Sequence, residues 1–352
     1  MNMRALRLFV VMLLSSISIN SSAEPASKKP GHYVVGISNS MYGNLWREKH
    51  VAETVAVAKQ YIKRGWLKDV IVQQSGPDVA LQIQQIRNMI NQKVDMILIN
   101  PASATGLVGV MEEAKEAGIP SICMDAELLG ADRQVALSVA TDKYREAYND
   151  LKYVAQAVGG KGKVVFLMGI AGDQPTQKRM EGAKAVLAEF PGLELLTTVY
   201  AQYNQSTAES VMNDVISTYP KIDVVFNAGD MGLGVLRAFE HAGRPLPALT
   251  GDPNNAWVIN SKQLRDKGIK LIHATTANPP GIGGTAMHIA AYLLNGYKFK
   301  PGVLQDNEYL YPVKSMITPE NLDNWLKYFN GQDPSAYISE VAGEEEISKL
   351  FE

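Results

Sequence analysis

Short apolar runs alternate with segments of helical length along most of the chain. In the first half these runs are apolar at every position instead of alternating with polar residues, which is typical of parallel strands buried on both faces by helices. This pattern predicts strands at residues 33–37, 70–73, 94–99 and 119–124, and helices at 46–62, 81–91 and 106–116, with Asp78 as a helix cap.

The same succession of elements begins again in the second half. Residues 94–100 resemble residues 222–228, and a helix and an Ala-Gly turn follow in both halves. Each half then has a strand that ends at an aspartate, Asp125 or Asp252. Two copies of this length indicate an internal duplication instead of a repeat array. The second half is predicted to contain strands at 163–168, 195–200, 222–227 and 246–250, and helices at 176–190, at 232–241 and after a capping box at Ser206.

The duplication predicts an α/β fold with two doubly wound, parallel-sheet (Rossmann-like) lobes. Ligands of such sheets bind beyond the carboxyl ends of the strands, so two facing lobes would share one cleft. We expect the chain to cross between lobes near Val139, Ala277 and Leu310, and three crossings would form a hinge. The predicted N-terminal lobe comprises residues 31–138 plus 278–309, and the C-terminal lobe residues 139–277 plus 310–352.

The first residues have the pattern of a secretory signal peptide. Arg4 and Arg7 precede an apolar stretch at 8–19 and a small-residue site ending at Ala23. That stretch is shorter than the ~20 residues that a membrane-spanning helix needs. We therefore expect residues 1–23 to be cleaved and the protein to reside in the periplasm. Without a cysteine after the stretch, a lipid anchor is not expected.

Composition narrows the classes of function. The formal net charge is −2 and the chain has no basic run, which argues against nucleic acid as a partner. Cys123, the single cysteine, lies in an apolar strand and is predicted to be an inert core thiol. The five histidines lack metal-ligand spacing. The glycines at 281–284 follow two prolines instead of a first strand, unlike a dinucleotide site. We predict no metal, no cofactor and no enzymatic activity.

Several stretches in a fixed order along the chain are similar to one family. They are residues 35–39 with 44–47, 84–95, 100–102, 113–120, 169–172, 179–182, 226–237 and 274–279. In these stretches the sequence resembles the ribose-like periplasmic sugar-binding proteins, the type I binding proteins of ABC importers. The resemblance implies a monomer that binds a small carbohydrate or polyol without altering it and delivers it to a membrane permease.

The resemblance also implies ligand-binding positions in the first lobe. Asn39 matches a family amide, and Tyr42 and Trp46 are candidates for aromatic contacts, although Trp46 could instead pack in the core. Asn44 could contact ligand or cap the following helix. Asp125 matches a family aspartate that binds ring hydroxyls, but Ala126 replaces the arginine that usually follows.

In the second lobe two positions depart from the family pattern. Gln177 stands where relatives carry a ligand-binding arginine, while Arg179 matches an arginine that usually supports structure. Fewer arginines beside retained aspartates and amides favour a neutral polyol or an unusual sugar. The remaining candidates are Tyr203 as an aromatic platform, Asp252 at a strand end, Asn278 at the hinge, and Asn227 and Asp230 at the cleft border.

The same fold also serves a second class of function. A periplasmic sensory adaptor would present its bound signal molecule to a membrane histidine kinase or chemoreceptor. A third hypothesis is an exported α/β enzyme, which turnover of a ligand by the purified protein would support. The sequence favours the solute receptor of an ABC importer.

Overall fold

The computed structural model describes residues 30–40, 45–128, 136–313, 315–339 and 341–352. The predicted signal peptide, Tyr42 and Asn44 lie outside the described residues. In the described part of the chain, no helix combines the length and apolar character needed to cross a bilayer.

The strands and helices predicted from the sequence are present in the predicted order, and the structure adds others, among them helices at residues 143–157 and 255–266. The strands are β1 (Tyr33–Asn39), β2 (Leu67–Gln74), β3 (Met96–Asn100), β4 (Ser121–Met124), β5 (Leu137–Ala140), β6 (Lys161–Met168), β7 (Gly192–Tyr200), β8 (Val224–Asn227), β9 (Ala248–Thr250), β10 (His273–Thr276), β11 (Glu308–Leu310) and β12 (Met316–Ile317). The helices are α1 (Leu45–Arg64), α2 (Val79–Asn91), α3 (Val108–Glu116), α4 (Lys143–Ala157), α5 (Gln174–Glu189), α6 (Gln205–Thr218), α7 (Gly232–His241), α8 (Asn255–Asp266), α9 (Ile282–Leu294), α10 (Leu322–Tyr328) and α11 (Glu344–Ser348).

The strands form two six-stranded sheets with equivalent topology. The first has the order β11-β5-β4-β3-β1-β2 and the second the order β12-β10-β9-β8-β6-β7. Neighbouring strands are parallel, except that β12 runs antiparallel to β10. The two doubly wound lobes predicted from the sequence are thereby confirmed.

Matching hydrogen bonds demonstrate the duplication at residue level. Asp95 Oδ2 accepts from Val34 N at 2.8 Å, and Asp223 Oδ2 accepts from Lys163 N at 2.8 Å. In both lobes the aspartate that precedes the third strand therefore holds the first strand. This shared role explains why the segments around 95 and 223 are alike in sequence.

Helices bury both faces of each sheet. In the first lobe, Ile37 and Leu98 pack beneath α1 and α9, while Ile97 and Cys123 pack beneath α2 and α3 on the opposite face. Truncation of such an aliphatic side chain to alanine costs about 2–5 kcal/mol. Cys123 is 1% exposed, and burial raises the pKa of its thiol to about 12, as expected for a core residue.

Side chains at helix starts set the local boundaries. Asp78 accepts from Leu81 N at 2.9 Å and caps α2 as predicted. The capping box expected at Ser206 is wrong, because Asn204 is the residue that caps α6 and accepts from Thr207 N at 3.0 Å. An asparagine side chain accepts a hydrogen bond from an unpaired amide in the first turn of a helix, as a serine side chain would.

The chain passes between the lobes after β5, after β10 and after β11, close to the three expected positions. It passes a fourth time between Ile338 and Ala342, where the sequence predicts no crossing. Ile338 packs in the second lobe, whereas Ile347 and Phe351 pack in the first. The expected placement of residues 310–352 in the second lobe is therefore wrong for the end of the tail. Phe351 stacks on Phe299 and Tyr292, a long-range contact without local sequence periodicity.

Candidate functional site

A cleft lies between the lobes, at the carboxyl ends of both sheets. It encloses about 890 Å³ of space that is partly open to solvent, which suits a small-molecule site. Seven residues selected from the sequence line it: Trp46, Asp125, Arg179, Tyr203, Asn227, Asp230 and Asn278. Other charged lining residues that sequence reasoning missed are Arg47, Glu146, Asp150 and Asp173.

At the first-lobe wall, Trp46 is tied to the hinge. Its indole Nε1 donates to Asn278 O at 2.7 Å, and its ring stacks on His50 with 4.9 Å between centroids. The guanidinium carbon of Arg47 lies 5.0 Å from the Trp46 ring centroid. Burial lowers the pKa of Arg47 from its ordinary value, and the Asp125 charge opposes that effect. Trp46 is thus packed into the wall and also lines the cleft, and its neighbour Arg47 brings a cation into the cleft.

Asp125 forms a buried ion pair with Lys143. Lys143 Nζ lies 2.7 Å from Asp125 Oδ1, and the two side chains are 2% and 7% exposed. Lys143 Nζ also donates to Asn278 Oδ1 at 2.7 Å. Burial alone raises the pKa of Asp125, but the cations of Lys143 and Arg47 outweigh it and lower this pKa to about 2. Since Ala126 replaces the family arginine, a lysine 18 positions further along the chain supplies the positive charge beside Asp125.

One face of α4 carries the charged floor of the cleft. Glu146 and Asp150 follow Lys143 at helical spacing and point to the same side. Asp150 accepts from Thr276 N at 2.9 Å and from Thr276 Oγ1 at 2.6 Å. Burial raises the pKa of Asp150 to about 7. The spacing of charges at 143, 146 and 150 was the available sequence signal, but it is equally typical of a solvated helix face.

Arg179 and Tyr203 form a polar network on the second-lobe wall. Arg179 Nη2 lies 3.4 Å from Glu146 Oε2, and Arg179 Nη1 donates to Tyr203 Oη at 3.4 Å. Tyr203 Oη also lies 2.9 Å from Thr176 Oγ1. Arg179 therefore both supports neighbouring side chains and lines the cleft.

Asp230 provides a further carboxyl of this wall. Its φ of +57° is in the left-handed region, which aspartate tolerates better than most residues. Burial and the nearby Asp252 charge raise the pKa of Asp230 to about 7. The side chain can therefore donate or accept a hydrogen bond near neutral pH.

Asp252 does not reach the cleft surface, contrary to the expectation from its strand-end position. It is fully buried, and Oδ1 accepts from Gly232 N at 2.8 Å and from Asn227 Nδ2 at 2.9 Å. Its Oδ2 accepts from Leu233 N at 3.2 Å and from Gln205 Nε2 at 2.8 Å. Its hydrogen-bonding capacity is used to hold the start of α7, where a carboxylate also complements the helix dipole.

Two further candidates from the sequence do not line the cleft. Asn39 is buried and donates from Nδ2 to Gln74 Oε1 at 3.2 Å. Gln177 lies on the exposed side of α5, with its Nε2 3.4 Å from Gly172 O. A match to a family position in the sequence therefore does not by itself place a side chain at the cleft surface. Among the described residues, no group of three or more His, Cys, Asp or Glu is arranged to hold a metal ion.

Comparisons with known proteins agree with this geometry. The model of the periplasmic binding protein domain family matches residues 33–298. The chain is 31% identical over 251 residues to the xylitol-binding protein of Mycolicibacterium smegmatis, covering 70% of this chain and 67% of that protein. It is 25% identical over 303 residues to the ribose import binding protein of Bacillus subtilis, covering 84% and 94%.

A solved structure extends the similarity to three dimensions. An ABC transporter solute binding protein from Thermobispora bispora superposes with a TM-score of 0.78 at 27% identity. The alignment covers 91% of this chain and 94% of that one. The two lobes and the cleft between them are therefore shared with a solute-binding protein.

Proposed function

This chain belongs to the periplasmic binding protein domain family, and from that premise we propose that it captures a small polyhydroxylated molecule in the interlobe cleft. The ligand class is a sugar, a deoxysugar or a polyol. After closure, the protein delivers the ligand to the permease of an ABC importer.

The observation that carries this proposal is the dense set of alternating donors and acceptors between the lobes. Arg47 and Asn278 offer donors, whereas Asp125, Glu146 and Asp230 offer carboxyl oxygens. Every ligand hydroxyl both donates and accepts, and hydrogen bonds to charged groups are the strong ones. The ring of Tyr203 supplies an apolar face for carbon-bound hydrogens.

The internal pairing of charges favours a neutral ligand. Asp125 is paired with Lys143 and Glu146 with Arg179, so these charges are already balanced within the protein. An anionic ligand would have to compete with these carboxylates for the same cations. A neutral hydroxyl can bridge paired groups without removing either partner. The names of the xylitol- and ribose-binding relatives also favour a neutral ligand.

Opposite walls of the cleft are joined at the hinge. The Lys143–Asp125 pair connects α4 to the end of β4, and the Trp46–Asn278 bond connects α1 to the segment after β10. A ligand that contacts both walls favours the closed arrangement by its differential affinity for that state. This supports binding and release by hinge motion.

The test is a thermal-shift screen of pentoses, hexoses, deoxysugars and polyols, with sugar acids as the charged comparison. A ligand present at 100 times its Kd stabilises the folded state by about 2.7 kcal/mol. Each hit is confirmed by calorimetric titration, and the recovered ligand is checked for chemical change. A shift with sugar acids alone, or with no carbohydrate or polyol, would refute the proposed ligand class.

Transport and export need separate experiments. A deletion strain should lose uptake of the identified ligand at micromolar concentration and regain it on complementation. Normal uptake together with a lost transcriptional or chemotactic response would instead support the sensory adaptor. The mature protein should be recovered from the periplasmic fraction with Glu24 as its first residue, whereas an intact Met1 would contradict export by cleavage.

A further inference from the structure

The C-terminal strap, residues 334–339 with 341 and 342, is bound to the second lobe beside the cleft. Ala256 N donates to Pro334 O at 2.8 Å, and Ile338 N donates to Pro253 O at 3.1 Å. Pro253 is itself a lining residue of the cleft. The strap thus reinforces the second-lobe wall from behind.

The next residues of the same strap are bound to the first lobe. Ser339 Oγ donates to Glu53 Oε1 of α1 at 2.8 Å. Ala342 N donates to Thr285 Oγ1 of α9 at 3.1 Å. Within a few residues, the strap therefore connects the wall of one lobe to two helices of the other.

Tyr337 lies at the centre of the strap. Its ring packs in the first-lobe core, while its backbone pairs with Asn254 in an antiparallel bridge. Its hydroxyl donates to Asp230 Oδ2, and Asn254 Nδ2 donates to Asp230 Oδ1 at 3.2 Å. Both oxygens of a lining carboxyl are therefore held by the strap or by its bridging partner.

We propose that Tyr337 is a positioning residue of the ligand site, which orients the Asp230 carboxyl toward the cleft and ties that orientation to the first lobe. The inference rests on the proposed function and goes beyond it, because it gives the C-terminal strap a part in recognition. Tyr337 does not line the cleft itself and acts through Asp230. A change in the separation of the lobes moves the Tyr337 hydroxyl that donates to Asp230, so ligand capture and closure are coupled.

The protonation of Asp230 reports on this hydroxyl. Besides burial, the groups that act on Asp230 are Asp252, which raises its pKa, and Tyr337, Asn254 and Arg179, which lower it. A hydrogen bond donated to a carboxylate stabilises the ionised form. Removal of the Tyr337 hydroxyl should therefore raise the pKa of Asp230, and any pH dependence that it controls should move to higher pH.

The test is the Tyr337→Phe variant, titrated with xylitol and D-ribose between pH 5 and about 9. At neutral pH we expect the Kd to rise at least about 10-fold, which corresponds to the loss of one hydrogen bond to a charged group. The inflection in the pH dependence of the Kd should move to higher pH. In an Asp230→Asn background the same substitution should change the Kd less than about twofold, since non-additivity reveals a shared path. Tyr153→Phe is the matched control, because its hydroxyl donates to Glu320 Oε2 at 2.5 Å, outside the cleft, and its removal should leave the Kd unchanged.

A ligand-free measurement separates this inference from the proposed function. Carbon-13 titration of aspartate carboxyls, assigned with Asp230→Asn, should show a higher midpoint for Asp230 in Tyr337→Phe than in the wild type. If neither probe binds the wild type, the ligand proposal is in question, while the midpoint still decides the role of Tyr337. An unmoved midpoint, an unchanged Kd, or an equal loss of affinity with and without Asp230 would overturn the inference.

Discussion

Lys143 Nζ lies 2.7 Å from Asp125 Oδ1, with both side chains almost completely buried. Asp125 follows a strand of the first lobe, and Lys143 begins the first helix after the chain has crossed the hinge. The pair therefore joins the cleft wall to the hinge by a charge contact that solvent screens little. It also replaces, from a distant position in the sequence, the cation missing at Ala126.

Lys143→Met should destabilise the fold strongly. The substitution keeps the length of the side chain but leaves the Asp125 carboxylate buried without its closest cation. Breaking a buried pair by removing one partner costs about 3–5 kcal/mol. Urea unfolding at pH 7 measures this loss as a lower midpoint at an unchanged slope.

The matched control for this substitution is Lys152→Met on the same helix, α4, which removes a partly exposed partner of Glu189 in α5. Pairs in solvent contribute little to stability, so this variant should unfold close to the wild type. Equal midpoints for Lys143→Met and the wild type would show that Asp125 does not depend on Lys143.

Asp125→Asn should weaken ligand binding by about 10- to 150-fold, the range that corresponds to about 1.5–3 kcal/mol for a hydrogen bond to a charged group. The amide keeps the shape of the carboxyl but offers one acceptor oxygen and no charge. Calorimetric titration with the ligand identified by the screen measures the change. Unaltered affinity in a folded variant would remove Asp125 from the ligand contacts.

Asp252→Asn should lower the stability of the fold without removing a ligand contact. Two backbone amides, Gly232 N and Leu233 N, donate to this carboxylate. An amide group turns one acceptor toward them and one donor against them, which should cost about 1–3 kcal/mol of unfolding free energy. Unchanged urea stability combined with lost binding would restore Asp252 as a ligand residue.

Much of the fold could be predicted because its signal is local. Continuous apolar runs mark the strands, and the likeness of segments 94–100 and 222–228 marks the duplication. The fourth crossing escaped prediction because Phe351 is held by Phe299 and Tyr292, which are far away in sequence. A stack of three aromatic rings from separate elements leaves no periodicity in any one of them.

The site was predictable only as a set of strand-end positions. Asp125 and Asp252 occupy equivalent places in the two lobes, yet one lines the cleft and the other holds α7. Which role an aspartate takes depends on whether neighbouring amides already satisfy it, and this is decided in three dimensions. Glu146 and Asp150 escaped prediction for a related reason, since a charged helix face usually contacts solvent.

The pH dependence of stability provides a test of Asp150. Burial raises its pKa to about 7 in the folded protein, from the ordinary aspartate value near 4 in the unfolded chain. The folded state therefore binds more protons than the unfolded state between about pH 4 and 7. In this window the contribution of Asp150 to stability is lost as the pH rises.

Asp150→Asn should accordingly be more stable than the wild type at pH 8 and should lose this advantage near pH 4. The amide oxygen can still accept from Thr276 N, and no buried negative charge remains. Urea unfolding at both pH values measures the difference, with Asp142→Asn as an α4 control whose carboxylate caps the helix at Arg145 N. Asp125 acts in the opposite direction only below about pH 4, because its pKa is lowered to about 2. If the gap between wild type and Asp150→Asn is the same at pH 4 and pH 8, the carboxyl of Asp150 does not titrate in this range, and the buried floor of the cleft is charged throughout.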